Sequence, residues 1–486
     1  MKGGWTDAAV REALGLPRGD VRDVAYTGVS TDTRQLGEGA LFVALRGERF
    51  DAHAFLGEAA ARGARGAVVE RRPADAPDSL IYYVVPDTLV ALGQLARARR
   101  RSLAARVCAV TGTNGKTTTK EMTRAALGAR YRVHATTANL NNLVGTPLTL
   151  LAAPEDVEAI VVEVGTNAPG EIARLAAIVE PDAAIITSVA EGHLEGLGDL
   201  RGVLAEKTSL LAELRPDGVA LVADEPPELP ARARSMAARV RVAGWTDGAD
   251  ADLRAEDIRV DEEGRVRFRW AGHDVRLNFR GRPNARNALL ALGLAREWGV
   301  DAQAAVRALE SLQPTKLRSE LYRYGDLVVI ADCYNANPAS VEAALELLES
   351  MPRRGGRVAV LGTMRELGSA SERLHRRVAE RAAAADLDLV VATGEFVPAF
   401  EHLAGRMGAR LIREEEPLAA YDALEPRLRG GEVVLLKASR GVALERLLPR
   451  FEARFGAAAA GAGAGAAAAH ADASVNGAGN AGASRE

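Results

Sequence analysis

Cysteine is nearly absent: Cys108 and Cys333 are the two in 486 residues. Both lie in apolar stretches, so the chain has no disulfide framework and a reducing compartment is expected. An excess of one charge is missing as well. Lys plus Arg of 62 against Asp plus Glu of 65 leaves a net charge of -3. That offers no broad basic face to nucleic acid or an anionic membrane, and points to small-molecule partners. No apolar run approaches the roughly 18 residues of a membrane span, and Met1 to Leu16 has no apolar core of signal-peptide length. The expectation is a cytoplasmic protein with no integral membrane segment. Length is what the chain has in quantity, and at roughly 100 to 200 residues per domain it suggests about three domains.

The most informative stretch begins at Val107. A short apolar run leads into Thr111, Gly112, Thr113, Asn114, Gly115, Lys116 and Thr117, after which Glu121, Met122, Ala125, Ala126 and Leu127 recur at helical spacing. The order is strand, loop, helix. Two glycines let backbone N–H groups turn toward a polyanion, and the helix adds its positive dipole end. Lys116 and Thr117 supply a cation and a hydroxyl for a terminal phosphate and a magnesium ion. This reads as an ATP site. The loop is shorter than the common phosphate-loop pattern, since Val110 stands where that pattern has its first glycine. The alternative is a strand-to-helix turn with a surface lysine.

Around this loop the chain alternates strands and helices. Apolar runs at 159–164, 183–188 and 218–222, separated by amphipathic stretches, predict a mostly parallel sheet with helices on both faces. A boundary falls near 104, after a predicted helix over 89–101, and another near Gln313-Pro314. Beyond it, apolar runs at 328–331, 357–361, 389–392 and 433–437 predict a second alternating sheet. After about Phe455 the composition collapses to glycine and alanine, and 456–486 is expected to be disordered.

In open sheets of this kind ligands sit at the carboxyl ends of strands. Glu163 and His193 fall there, as a carboxylate in Glu-Val-Gly-Thr-Asn and an imidazole in a glycine-flanked loop. Each is a candidate magnesium ligand or, read alone, a cap or a hydrogen-bonded surface group. Thr137, Asn139 and Asn142 belong to an amide-rich loop that reads, by itself, as a set of turn-forming residues. Asn284 and Asn287 open an alanine-leucine helix, where asparagine reads as a cap. Thr31, Asp32, Thr33 and Arg34 form a polar loop that is a ligand site or an ion-paired turn. Asp332 ends an apolar strand. Lys207 reads on spacing as a solvated helix lysine.

The segment from Thr111 to Thr117 resembles the nucleotide loop of the Mur ligases, ATP-dependent amide-forming enzymes of peptidoglycan precursor synthesis, and the resemblance runs from about Val29 to about Leu447. Tyr334-Asn335-Ala336-Asn337-Pro338 is similar to the branch that adds D-alanyl-D-alanine, whereas sister branches carry a His-Pro version. The resemblance implies three α/β domains. These are a small UDP-substrate domain over 1–104, a central phosphate-loop ATPase sheet over 105–313, and a Rossmann-like ligase domain over 314–455. It implies ATP with Asn284 and Asn287 near its adenine, Mg2+ on Thr117, Glu163 and His193, and Lys207 as a carbamate oxygen donor. Arg318 and Asp332 would reach the nucleotide as the third domain closes. It implies UDP-N-acetylmuramoyl-tripeptide held by Thr31 to Arg34, by Asp51 and His53, and by the 137–142 loop. D-Alanyl-D-alanine would be met by Asn335, Asn337, Lys437, Ser439 and Arg440. Four residues depart from the family's pattern: Ala52 and Ala438 replace glycine, Pro283 replaces histidine and Thr363 replaces aspartate. Ala52 would remove a contact that needs positive φ. The open alternatives are a member that adds a single amino acid or glutamate, and a nucleotide-gated binding protein without ligase activity.

Overall fold

The computed structural model describes residues 5–19, 21–47, 50–352 and 355–456. The glycine-alanine tail lies outside the described residues.

Three parallel-stranded sheets follow one another along the chain. In the first, Val29–Ser30, Leu41–Val43, Gly66–Val69 and Ile81–Val84 are neighbours in that order and all parallel. The second has six parallel strands in the order Val133–Ala135, Ala159–Glu163, Arg106–Thr111, Ala183–Ile186, Val219–Ala223 and Val240–Ala243. In the third, Glu320–Tyr324 runs antiparallel to Leu327–Asp332. Glu432–Lys437, Gly356–Leu361, Leu389–Ala392 and Leu411–Arg413 then complete a parallel array.

The central sheet is buried on both faces, and its first strand shows why. Val107 and Ala109 belong to one core while Cys108 and Val110 belong to another. Side chains alternate across a strand, so a strand that must fill two cores reads as a continuous apolar run. The helices Lys116–Gly128 and Pro283–Glu297 cover the second core through Met122, Ala126, Leu127, Ala288 and Leu292. Chain order places Arg106–Thr111 in the sheet interior, with Ala159–Glu163 on one side and Ala183–Ile186 on the other. The connection after Arg106–Thr111 runs to Val133–Ala135 on one side and the connection after its neighbour Ala183–Ile186 runs to Val219–Ala223 on the other, which opens a crevice at their carboxyl ends.

One element has no counterpart in the expected pattern. Glu256–Val260, Arg265–Trp270 and His273–Arg280 form a three-stranded antiparallel sheet against the second core. Val266, Phe268 and Trp270 face inward while Arg267 and Arg269 face solvent. Ala52 also departs from expectation: it lies in a short 3-10 helix and is not among the residues with positive φ. The conformation at this position is open to any residue, so alanine for glycine costs nothing in backbone strain here.

Candidate active site

The helix Lys116–Gly128 starts from Gly115, whose φ of 83° is in the left-handed region, and no side chain caps it. The N–H groups of Gly115, Lys116, Thr117 and Thr118 meet no acceptor among the described residues. Those of Thr113 and Asn114 do: they donate to Ser188 O and Ser188 Oγ, both at 2.9 Å. The N–H groups left free for an anion are therefore those of Gly115 through Thr118 rather than those of the whole loop from Gly112. No acidic residue occupies the first turn, so the dipole end is uncompensated. Gly112, at φ 147°, lies so close to Thr187 that a Cβ would sit 2.0 Å from its Oγ1.

Lys116 Nζ donates to Gly112 O at 2.8 Å and Thr113 O at 3.1 Å, which centres its charge over the loop. Burial pushes its pKa below the usual lysine range; Glu163 opposes that shift and Arg318 adds to it. Glu163 is buried, and its Oε1 accepts from Asn141 Nδ2 at 2.9 Å and Thr117 Oγ1 at 3.3 Å. Its Oε2 is buried without a partner. Thr117 Oγ1 in turn accepts from Arg318 Nη2 at 3.2 Å, across from the third sheet. A hydroxyl beside a carboxylate with a free buried oxygen fits a hard divalent cation that keeps water and phosphate in its remaining positions.

The other two expected cation ligands are placed differently. His193 Nδ1 lies 2.6 Å from Glu366 Oε2, a close contact off the line of a straight hydrogen bond. The imidazole thus faces the third unit at one nitrogen, and no three His, Cys, Asp or Glu side chains cluster as a metal cage among the described residues. Lys207, on the helix Leu200–Thr208, is fully buried and its Nζ has no hydrogen-bond partner. The solvated-lysine alternative is therefore excluded. Burial drives its pKa well below the usual range, and the charge of Lys116 pushes the same way.

Lys116, Thr117, Glu163, His193 and Arg318 line a cleft of about 740 Å³ between the central and third sheets, whereas Lys207 and Glu366 do not line it. Of the nucleotide candidates, Thr113 through Thr117, Asn284, Asn287 and Asp332 line it; Thr111 and Gly112 lie behind the loop. Asn284 is not a cap. The helix starts at Pro283, and Asn284 Nδ2 donates to Arg280 O while its Oδ1 accepts from Asn287 Nδ2. Asn139 and Asn142 line the cleft and Thr137 does not. Among the dipeptide candidates, Asn335 and Lys437 line it, whereas Asn337, Ser439 and Arg440 do not. Lys437 is tied to Asp332 at 2.7 Å. Asn337 caps the helix Pro338–Ser350 in a capping box with Ser340 and forms a reciprocal amide pair with Asn114, at 2.7 and 3.1 Å.

Thr31, Asp32, Thr33, Arg34, Asp51 and His53 stand apart from this cleft. Asp32 caps the 3-10 helix Thr33–Gln35 and pairs with Arg34 at 2.7 Å, which holds its carboxyl below the usual range. His53 Nε2 accepts from Glu70 N at 2.9 Å, so Nδ1 carries the proton that meets Asp51 Oδ1 at 2.6 Å.

Two residues next to the site were not among the candidates. Asn141 sits one place from Asn142 and reaches Glu163. Glu366 reaches His193, and its signal was faint, a carboxylate inside the Gly362-to-Gly368 loop.

Comparison with known proteins accounts for this arrangement. Models of the Mur ligase catalytic domain, the Mur ligase middle domain and the Mur glutamate ligase domain match residues 25–100, 110–295 and 317–440. The UDP-N-acetylmuramoyl-tripeptide–D-alanyl-D-alanine ligase of Bacillus subtilis is 36% identical over 430 residues, 87% of this chain and 92% of its own. That of Escherichia coli is 36% identical over 439 residues, 88% and 94% of the two chains. Among solved structures, a MurF of Acinetobacter baumannii superposes with a TM-score of 0.83 at 32% identity, covering 92% of this chain and 98% of its own. The MurF ligase of Thermotoga maritima in complex with ADP gives 0.79 at 27%, covering 90% and 99%. With relatives above a third identical over most of both chains, and three matching models in the same order as the three sheets, the chain belongs to the Mur ligase family.

Proposed function

We propose that this protein is an ATP-dependent ligase that joins D-alanyl-D-alanine to UDP-N-acetylmuramoyl-tripeptide, releasing ADP and phosphate, in peptidoglycan precursor synthesis. One observation carries the reading. Lys116, Thr117, Glu163 and Arg318 meet in the cleft between the central and third sheets, where a terminal phosphate and an acceptor carboxylate would come together.

A carboxylate is a poor electrophile at neutral pH, so amide formation in water needs a better leaving group. The free N–H groups of Gly115 to Thr118 and the Lys116 ammonium hold the phosphates and stabilise charge as the γ-phosphoryl group passes to the tripeptide carboxylate. Arg318 brings a further cation from the third unit. An acyl phosphate results; the dipeptide amine attacks its carbonyl carbon and phosphate leaves. Mg2+ held by Thr117 and Glu163, with His193 nearby, would supply charge neutralisation at the phosphates. Lys207 fits a modified group. A neutral buried amine attacks CO2, loses a proton and becomes an anionic carbamate, an oxygen donor suited to hard cations.

Residues 1–104 hold the uridine nucleotide in this reading, through Asp32, Arg34, Asp51 and His53; 105–313 hold ATP; 314–455 receive the dipeptide beside Asn335. The test measures ADP release with each substrate alone and with both, together with the mass of the product. Expected are release that requires both substrates and an amide-linked pentapeptide. Equal release without the dipeptide, or a phosphorylated product, would sink the proposal.

A further inference from the structure

Arg318 carries its charge to the phosphate loop without a carboxylate to hold it. Among the described residues it makes no ion pair, and its Nη2 ends 3.2 Å from Thr117 Oγ1. An unpaired arginine has wide rotamer freedom, and a side chain that must meet a phosphoryl group needs a fixed direction. A carboxylate partner would fix it but cancel the charge. An aromatic face fixes it and leaves the charge available.

Tyr334 supplies that face. The Arg318 Cζ lies 4.3 Å from its ring centroid, and the Arg440 Cζ lies 5.3 Å from the same ring. The ring belongs to a segment that also shapes the backbone under Arg318. Tyr334 N donates to Leu317 O at 3.3 Å, and Ser319 N donates to Asp332 Oδ1 at 3.2 Å. Leu317 and Ser319 flank the arginine at φ 60° and 51°, left-handed values that L side chains adopt only when held there. Tyr334 thus acts on Arg318 at both ends, through the peptide and through the guanidinium.

We infer that Tyr334 is a positioning residue that aims Arg318 at Thr117 during phosphoryl transfer; the inference rests on the ligase reading above. The test is a double-mutant cycle on kcat and KM, with a spectroscopic readout beside it. Tyr334→Phe keeps the ring and should stay within about threefold of wild type. Tyr334→Leu should lower kcat about 10- to 100-fold with little change in KM for ATP, the loss expected of a misplaced catalytic group. In an Arg318→Ala background the same Tyr334→Leu change should cost nothing more. Losses that multiply in the double variant, or a Tyr334→Leu enzyme as fast as wild type, would overturn the inference.

The second readout uses the unsubstituted enzyme and no substrate. The Arg318 Nε–H resonance, assigned by its loss in Arg318→Lys, should be shifted upfield by the ring. An unshifted resonance would refute the stacking even if Tyr334→Leu fails to fold. An enzyme that joins no dipeptide but shows the shifted resonance would place the failure in the ligase reading and not in the grip of Tyr334 on Arg318.

Discussion

Replacing Lys207 by methionine should make the protein more stable and leave it unable to ligate. The Lys207 side chain is fully buried and its Nζ has no partner. A buried, unsatisfied donor costs about 1–3 kcal/mol, and methionine fills similar space without one. For a unit of 150–250 residues that corresponds to a rise in Tm of about 2–12 °C. The pH dependence gives a second signature. Burial, then the neighbouring Lys116, holds the folded-state pKa of Lys207 well below its ordinary 10.5. Between that lowered value and 10.5 the unfolded chain binds the extra proton. Wild-type stability therefore rises with pH across this window, and the advantage of the variant shrinks as pH increases. The assay is thermal unfolding in CO2-free buffer at several pH values, repeated with bicarbonate, which should raise the wild-type Tm and leave the Lys207→Met value unchanged. A variant less stable than wild type at neutral pH without CO2, or a gap that widens with pH, would refute the reasoning.

Lys116→Ala should lower the rate of ADP release by at least about 10²- to 10³-fold, because a preorganised charge on the phosphoryl oxygens is lost; turnover within tenfold of wild type would show that the loop does not hold the phosphates. Gly112→Ala places a Cβ 2.0 Å from Thr187 Oγ1 at a φ of 147°, so ADP affinity by calorimetry should collapse; unchanged affinity would mean the loop tolerates a different path. Glu366→Ala removes the group that faces His193 Nδ1 and should lower kcat about 10- to 100-fold, as loss of an orienting partner does; wild-type kcat would show that the pair is incidental.

What could be read from residues alone was set by local chemistry. The strand Arg106–Thr111 and the helix Lys116–Gly128 were legible because a two-sided core demands an unbroken apolar run, and because glycine at 115 supplies the positive φ that starts the helix. The antiparallel sheet went unread although Arg265–Trp270 alternates with period two, since the parallel pattern on either side of it set the expectation. Lys207 shows the limit of spacing. A lysine on a nine-residue helix looks solvated, and nothing local records that neighbouring elements close over it. Asn337 shows the reverse case. Its capping chemistry was legible, but its reciprocal amide pair joins positions 223 apart, a separation that no local pattern carries.

Backbone strain gathers where the central and third units meet. Nine non-glycine residues among those described have positive φ, and five of them, Ala138, His193, Leu317, Ser319 and Glu366, lie in or beside the cleft. Each such conformation costs of order 1–3 kcal/mol and persists only where surrounding contacts over-determine it. Several of those contacts cross from one unit to the other: Glu195 N donates to Glu366 O at 3.1 Å, and Glu366 meets His193. Arg318 reaches Thr117, Asn114 pairs with Asn337, and Arg377 binds Glu191. Docking and active-site geometry are therefore one equilibrium. Parting the units would release the strain at His193 and Glu366 and withdraw Arg318 from Thr117 in the same motion, so under the proposed reaction the full set of charges around the phosphoryl group would exist only in the docked arrangement.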